Sequence, residues 1–118
     1  MAANPVLQVA SLKIVEKPQD SQTLVRPKGR ITAATSIALE QRLHDLIPAF
    51  RRVVLDVSNV DYIDGAGFGV LASIHFEAKL AGCALEIVNP PSPLKKVLRS
   101  WLHSVFEGRE EYLGLTPD

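Results

Sequence analysis

The chain has 118 residues, enough for one domain that buries its own core without a disulfide or metal staple. Lysine plus arginine number 13 and aspartate plus glutamate 13, so the formal net charge is zero, which removes the long-range pull that a dedicated nucleic-acid binder exerts on phosphate backbones. At 47% hydrophobic and 22% charged residues the composition is that of an ordinary globular domain and excludes disorder, and the single cysteine, Cys83, excludes an internal disulfide and suits a reducing compartment.

The predicted elements alternate along the chain. Leu7 to Lys17 is rich in strand formers, Pro18-Gln19-Asp20-Ser21 reads as a turn, and Gln22 to Arg26 completes a hairpin. Pro27 cannot donate to a ladder, so this strand is expected to end or bulge there. Gly29-Arg30-Ile31-Thr32 then leads into a helix with Thr35 as N-cap, its hydroxyl accepting from a free amide of the first turn. Leu39, Leu43, Leu46, Ile47 and Phe50 form the apolar face, and Pro48 ends or distorts the helix. Val53 to Val57 has the unbroken apolar character of a strand buried on both faces. Ser58 to Asp64 reads as a loop, and Gly65-Ala66-Gly67-Phe68-Gly69 opens a long helix to Leu80 that Gly82 stops. Its main stripe is Val70, Leu71, Ile74, Ala78 and Ala81. Phe68, Ala72, Phe76 and Leu80 make a second stripe at spacing four, part of it facing solvent or a partner. Ala84 to Val88 is another buried strand. Ser92-Pro93 opens a third helix, with Leu94, Val97, Leu98, Trp101 and Leu102 on its core side. Val105-Phe106 reads as a last short strand and Arg109 to Leu113 as a closing helical turn. The order implies an α/β fold, a mixed, mostly parallel sheet of four to five strands with helices packed against it, in a single domain over 1–118 with flexible termini near 1–5 and 114–118.

The segment Val53-Val-Leu-Asp-Val-Ser-Asn-Val-Asp-Tyr-Ile-Asp-Gly-Ala-Gly-Phe-Gly-Val-Leu71 resembles the signature of the STAS family, which includes bacterial anti-sigma factor antagonists and the cytoplasmic tails of sulfate transporters. Asp64, Gly67, Phe68 and Gly69 match its order. Leu80 to Pro90, Pro93 to Leu98 and Gly29-Arg30-Ile31 resemble its later helix-to-strand step, its following helix and the start of its first helix. The resemblance implies a protein-binding module of partner switching, with an anti-sigma factor resembling a serine kinase, or a histidine-kinase-like ATPase, as partner. It implies a contact surface at Arg30, Thr32, Asp64, Gly65, Ala66, Gly67, Phe68 and Gly69. Two departures stand out. Family members that are phosphorylated carry Ser or Thr after the loop Asp, where this chain has Gly65 and then Ala66. The family often has an acidic residue where this chain has Thr32. An accessory domain of a transporter system, such as a lipid-trafficking ABC transporter, is the alternative.

Asp64 either caps the helix that follows it or holds a partner, and the two roles are compatible. Free amides at Gly65, Ala66 and Gly67 could cradle a phosphate or nucleotide weakly, but the spacing is not that of a dinucleotide loop and no P-loop lysine follows. His44, His75 and His103 lack ligand spacing, and Asp56, Asp61 and Asp64 read as backbone caps more readily than as a metal site. Cys83 reads as inert packing, and Lys95, Lys96 and Arg99 as a solvated helix face. No residue set suggests catalysis, no metal or cofactor is expected, and the domain is expected to be a monomer or weak oligomer. Met1 to Pro5 shows no basic stretch before an apolar run and no segment is long enough to span a bilayer, so the expected location is the cytoplasm.

Overall fold

The computed structural model describes residues 6–9 and 11–106, with side chains described for residues 6, 8 and 11–100. The elements follow as β1 (Val6–Val9), β2 (Leu12–Gln19), β3 (Gln22–Ile31), α1 (Ser36–Leu46), β4 (Arg52–Asp56), β5 (Asn59–Ile63), α2 (Gly65–Ala81), β6 (Ala84–Val88) and α3 (Ser92–Phe106). The sheet runs β1-β2-β3-β4-β6, with β5 also paired to β3. The β1–β2 and β2–β3 pairs are antiparallel, and β3–β4, β3–β5 and β4–β6 are parallel. The mixed α/β architecture read from the alternating elements is therefore present, in six strands and not four to five among the described residues: Leu7 to Lys17 divides into β1 and β2, β5 is added, and Val105-Phe106 is not a strand.

The extra strand is β5, within the segment read as a loop. It and β4 share one edge of β3. Gln22–Val25 pair with Arg52–Leu55, and Lys28–Ile31 pair with Asn59–Ile63. Between them the chain kinks: the Asp56 carboxylate accepts from Ser58 N at 3.0 Å, and Val60 N donates to Val57 O at 3.1 Å. Pro27 sits in the gap between the two ladders on that edge. This explains why β3 continues past it to Ile31 instead of ending. The bulge lies further on, at Gly29/Arg30.

The hairpin turn is tighter than the reading placed it. Gln19 pairs with Gln22, leaving Asp20-Ser21 as a two-residue loop, with Asp20 at φ 54. Pro18 stays in β2, and among the described residues β1 pairs with β2 only at Leu12–Val15, so no described strand needs a donor from Pro18 on that edge. Gly29 to Ile31 belongs to β3 and not to the approach of α1. Val105-Phe106 is helical, because nothing after Pro93 in α3 is Gly or Pro and the apolar spacing persists. Helix α3 starts at Ser92, Lys95 N donating to Pro91 O at 2.8 Å. The Trp101, Leu102 and His103 side chains, the turn at 109–113 and both termini lie outside the described residues.

One core joins the sheet to all three helices: Leu12, Ile14, Val25, Val53, Leu55 and Ile87 from strands, Leu39 and Leu43 from α1, Leu71 and Ile74 from α2, Leu98 from α3. Val70 is half-buried and Ala81 exposed, while Phe68 joins the core in their place. The second stripe on α2 divides. Phe68 is 6% exposed, Ala72 is half-buried, Phe76 is 59% and Leu80 76% exposed. Each step of four residues drifts about 40° around a helix of 3.6 residues per turn, so a stripe that starts on the core face winds into solvent by roughly 120° over three steps.

Candidate functional site

The parallel half of the sheet delivers two chain crossings to one end: β3 leaving for α1, and β5 leaving for α2. Asp64 joins them. Its backbone is extended, at φ −103 and ψ −178. One carboxylate oxygen accepts from Gly67 N at 2.8 Å, capping α2, and the other accepts from Ala33 N at 3.2 Å, holding the β3–α1 loop. Its own amide donates to Ile31 O at 3.2 Å. The cap is thus the structural role of Asp64, and the same side chain positions both loops.

The β3–α1 loop is closed from within. Thr32 N donates to Thr35 Oγ1 at 2.9 Å, and Ala34 N to Thr32 Oγ1 at 3.3 Å. Thr35 occupies the N-cap position of α1, but its hydroxyl does not cap the first turn. It donates instead to Arg30 O at 2.7 Å. The sequence identifies a hydroxyl at the right position without showing that the crossing strand offers it a better acceptor.

The glycines that open α2 differ in kind. A Cβ on Gly67 would stand 2.4 Å from Ile31 O and 2.9 Å from both Ile31 Cγ2 and Ile63 Cγ1. Gly67 is buried, and it lets α2 lie directly on the ends of β3 and β5. A Cβ on Gly65 or Gly69 would meet nothing within 4 Å, and neither has a positive φ. Gly65, Ala66 and Gly69 are exposed, as are Ala33, Ala34 and Ile37 from the loop and first turn of α1. Of the eight residues expected at the surface, Gly67 and Phe68 are therefore buried and shape it from below, while Thr32 and Asp64 are half-buried within it. Arg30 precedes Ile31 at the end of β3 and pairs with Tyr62 of β5, its guanidinium 4.3 Å from the centroid of the Tyr62 ring. Tyr62 and Ile37 escaped the sequence reading. Tyr62 could have been found only by recognising β5 as a strand.

The remaining candidates disperse. Among the described residues, no three His, Cys, Asp or Glu side chains are placed to hold a metal. Burial pushes the Asp56 carboxyl up, but hydrogen bonds from Ser58 and the Arg26 guanidinium outweigh it and leave the group below the usual carboxylate range. His44 Nδ1 reaches Glu77 Oε2 at 2.5 Å between α1 and α2. His75 is half-buried on α2. Burial pushes the Cys83 thiol up, which suits packing and not nucleophilic chemistry. Lys96 is exposed, and Lys95 and Arg99 are half-buried. No helix among the described residues is long and apolar enough to cross a membrane.

A mixed sheet whose third strand shares one edge between two parallel partners, with a glycine-pinned helix starting at that edge, defines a class of small α/β domains. The family model of the STAS domain matches residues 12–103, and the chain belongs to that family. An anti-sigma factor antagonist from Mycobacterium paratuberculosis has the same fold at 22% identity and a TM-score of 0.71, over 92% of this chain and 87% of that one. The anti-sigma factor antagonist SpoIIAA, in its unphosphorylated form, aligns at 15% identity and 0.63 over 97% and 86%. The murine Solute Carrier 26 family member A9 anion transporter aligns at 16% identity and 0.68, over 98% of this chain but 20% of the transporter. The chain also resembles part of Mglu structures, of which it spans 19% to 26%.

Proposed function

We propose that this chain is a non-catalytic regulatory module of the bacterial cytoplasm that binds an anti-sigma factor resembling a serine kinase, through the surface around Asp64, without the phosphorylation switch. The observation that carries the reading is the start of α2: Asp64 caps it and ties it to the β3–α1 loop, and Gly65 and Ala66 stand exposed with no hydroxyl between them. The likeness to two anti-sigma factor antagonists along nearly the full chain supports it. A phosphoryl group at the helix start would add about −1.5 to −2 charges, which a docked partner would have to pair or desolvate. With Gly65 that lever is missing, and binding is constitutive or regulated elsewhere.

The test is calorimetric binding of the purified chain to each serine-kinase-like ATPase of its genome, followed by mass spectrometry after incubation with ATP. The wild type should bind and remain unmodified. Gly65→Asp should weaken binding, and Gly65→Ser should not until it is phosphorylated. Gly65→Ala is the control, and the open space at Gly65 means all three variants should fold. Stoichiometric phosphate on Ser58 or Ser73 with loss of binding overturns the constitutive reading. The second reading, a transporter's accessory domain, is favoured by the likeness to the anion transporter, and a complex with a transport protein in place of the ATPase would establish it.

A further inference from the structure

The irregularity between β3 and β5 has a consequence for the surface beside Asp64. Gly29 pairs with Val60 and Arg30 with Tyr62, so Asp61 is an extra residue on β5. An inserted residue re-aims the side chains that follow it. In an unbroken ladder Tyr62 would share the side of Val60, which is buried, because side chains alternate with period two. With Asp61 inserted, Tyr62 turns outward and is 44% exposed, while Ile63 returns to the core at 5%. Gly29 sits opposite at φ +120, where a Cβ would stand 1.9 Å from Ser11 O. The bulge is thus fixed from both strands, and it sets the Tyr62 ring beneath the Arg30 guanidinium. The Arg30 backbone is held as well: its amide donates to Ser11 O at 3.3 Å, and its carbonyl accepts from Thr35 Oγ1 at 2.7 Å.

Arg26, Arg42 and Arg52 each close on a carboxylate of this chain. Arg30 has none within 4.0 Å among the described residues. Nearby Asp64 already accepts from Gly67 and Ala33. We infer that the Arg30–Tyr62 pair, at the ends of β3 and β5 and two residues before Asp64, is a specificity element that binds an acidic side chain of the protein partner. This rests on the proposed function only for the partner being a protein. A guanidinium laid on a ring keeps its N–H edge free for the two oxygens of a carboxylate. The stack also holds the side chain in place before binding, which lowers the ordering cost. A nucleic-acid backbone is disfavoured, because one such arginine on a chain of zero net charge lacks the repeated phosphate contacts that backbone binding needs.

The test uses probes of defined chemistry. In a low-salt NMR titration, a hexaglutamate peptide should shift the Arg30 Nε–H and Tyr62 ring resonances saturably, and a hexaglutamine peptide should not. Equal shifts with both peptides, or no shifts, would overturn the inference, and so would stronger, Arg30-dependent binding of a thymidine oligonucleotide. In any complex found with a serine-kinase-like ATPase, Arg30→Ala should weaken binding about tenfold and flatten its salt dependence. Tyr62→Phe should bind like the wild type, and Tyr62→Leu should bind several-fold more weakly. Unchanged melting temperatures would separate this from a folding effect. A complex indifferent to Arg30→Ala sinks the inference and leaves the proposed function standing. Glutamate-specific shifts at Arg30 with no ATPase bound do the reverse.

Discussion

Gly67 and Gly65 stand two positions apart at the start of one helix, yet the structure gives them opposite roles. A methyl group at Gly67 has to displace Ile31 O, a backbone atom, as well as two isoleucine side chains. Gly67→Ala should therefore cost about 1–3 kcal/mol through overpacking. Gly65→Ala and Gly69→Ala add a methyl group to open space and should be neutral or stabilising by up to about 1 kcal/mol, since glycine is a poor helix former. Urea denaturation of the three variants checks the contrast, and an equal effect at all three positions would overturn it. The run Gly65-Ala-Gly-Phe-Gly69 announces a helix start in the sequence, but it does not say which glycine touches the sheet. That depends on β5 ending directly below, and β5 was hidden because the bulge at Asp61 spoils its alternation and its polar residues read as a loop. Phe68 was legible as apolar and not as buried, since the drift of its stripe depends on where the sheet lies.

Between elements, the ion pairs sort by burial. Arg42 on α1 reaches Glu16 on β2 through two hydrogen bonds, at 2.6 and 2.7 Å, and the Glu16 side chain is 7% exposed. Arg42→Ala leaves that carboxylate buried without a partner, so it should cost about 1–3 kcal/mol. The Arg52–Glu86 pair between β4 and β6 has side chains 44% and 36% exposed, and Arg52→Ala should cost about 0–1 kcal/mol. Chemical denaturation of both variants should show this order, and the reverse order would mean that the Glu16 site relaxes or takes up water. Asp56 adds a pH signature. Its pKa is lowered in the folded protein, so its stabilisation is present above the unfolded value of about 3.9 and is lost as pH falls through the folded one. Asp56→Asn should be less stable than the wild type near neutrality, by about 1–2 kcal/mol because Arg26 is partly solvated, and the gap should shrink below about pH 4. A gap that stays constant from pH 7 to pH 3 would assign the effect to shape and not to charge. None of these pairs is legible in the sequence, because their partners are 26 to 34 residues apart and meet only through strand register or through the packing of α1 on the sheet.

At the scale of the whole molecule, β3 is the strand on which the fold depends. It pairs with β2 along one edge and with β4 and then β5 along the other, so it joins the antiparallel hairpin to the parallel half. The alternation of strands and helices made the parallel half legible. The division of one edge between two strands was not, because Pro27 read as an end or a bulge until the gap between two ladders gave it a place. This architecture predicts an order of opening. Val25 and Leu55 are 0% exposed and have a paired strand on each side, so whichever way their amides point they meet a ladder partner. Their exchange with solvent requires the whole sheet to come apart. β1 has four residues, pairs only with β2, and exposes Val6 at 54%. It can detach at the cost of one short ladder, which is the condition for local opening. Native-state hydrogen exchange should therefore show the amides of Val25 and Leu55 exchanging only with global unfolding, with β1 amides orders of magnitude faster. A destabilising change confined to β1, such as Val6→Gly, should leave the Val25 rate almost unaltered, whereas Val53→Ala in β4 should raise it together with the global unfolding equilibrium. Protection of β1 equal to that of Val25 would mean that the hairpin and the parallel half unfold as one unit, and that β1 is integral to the core and not an appended edge.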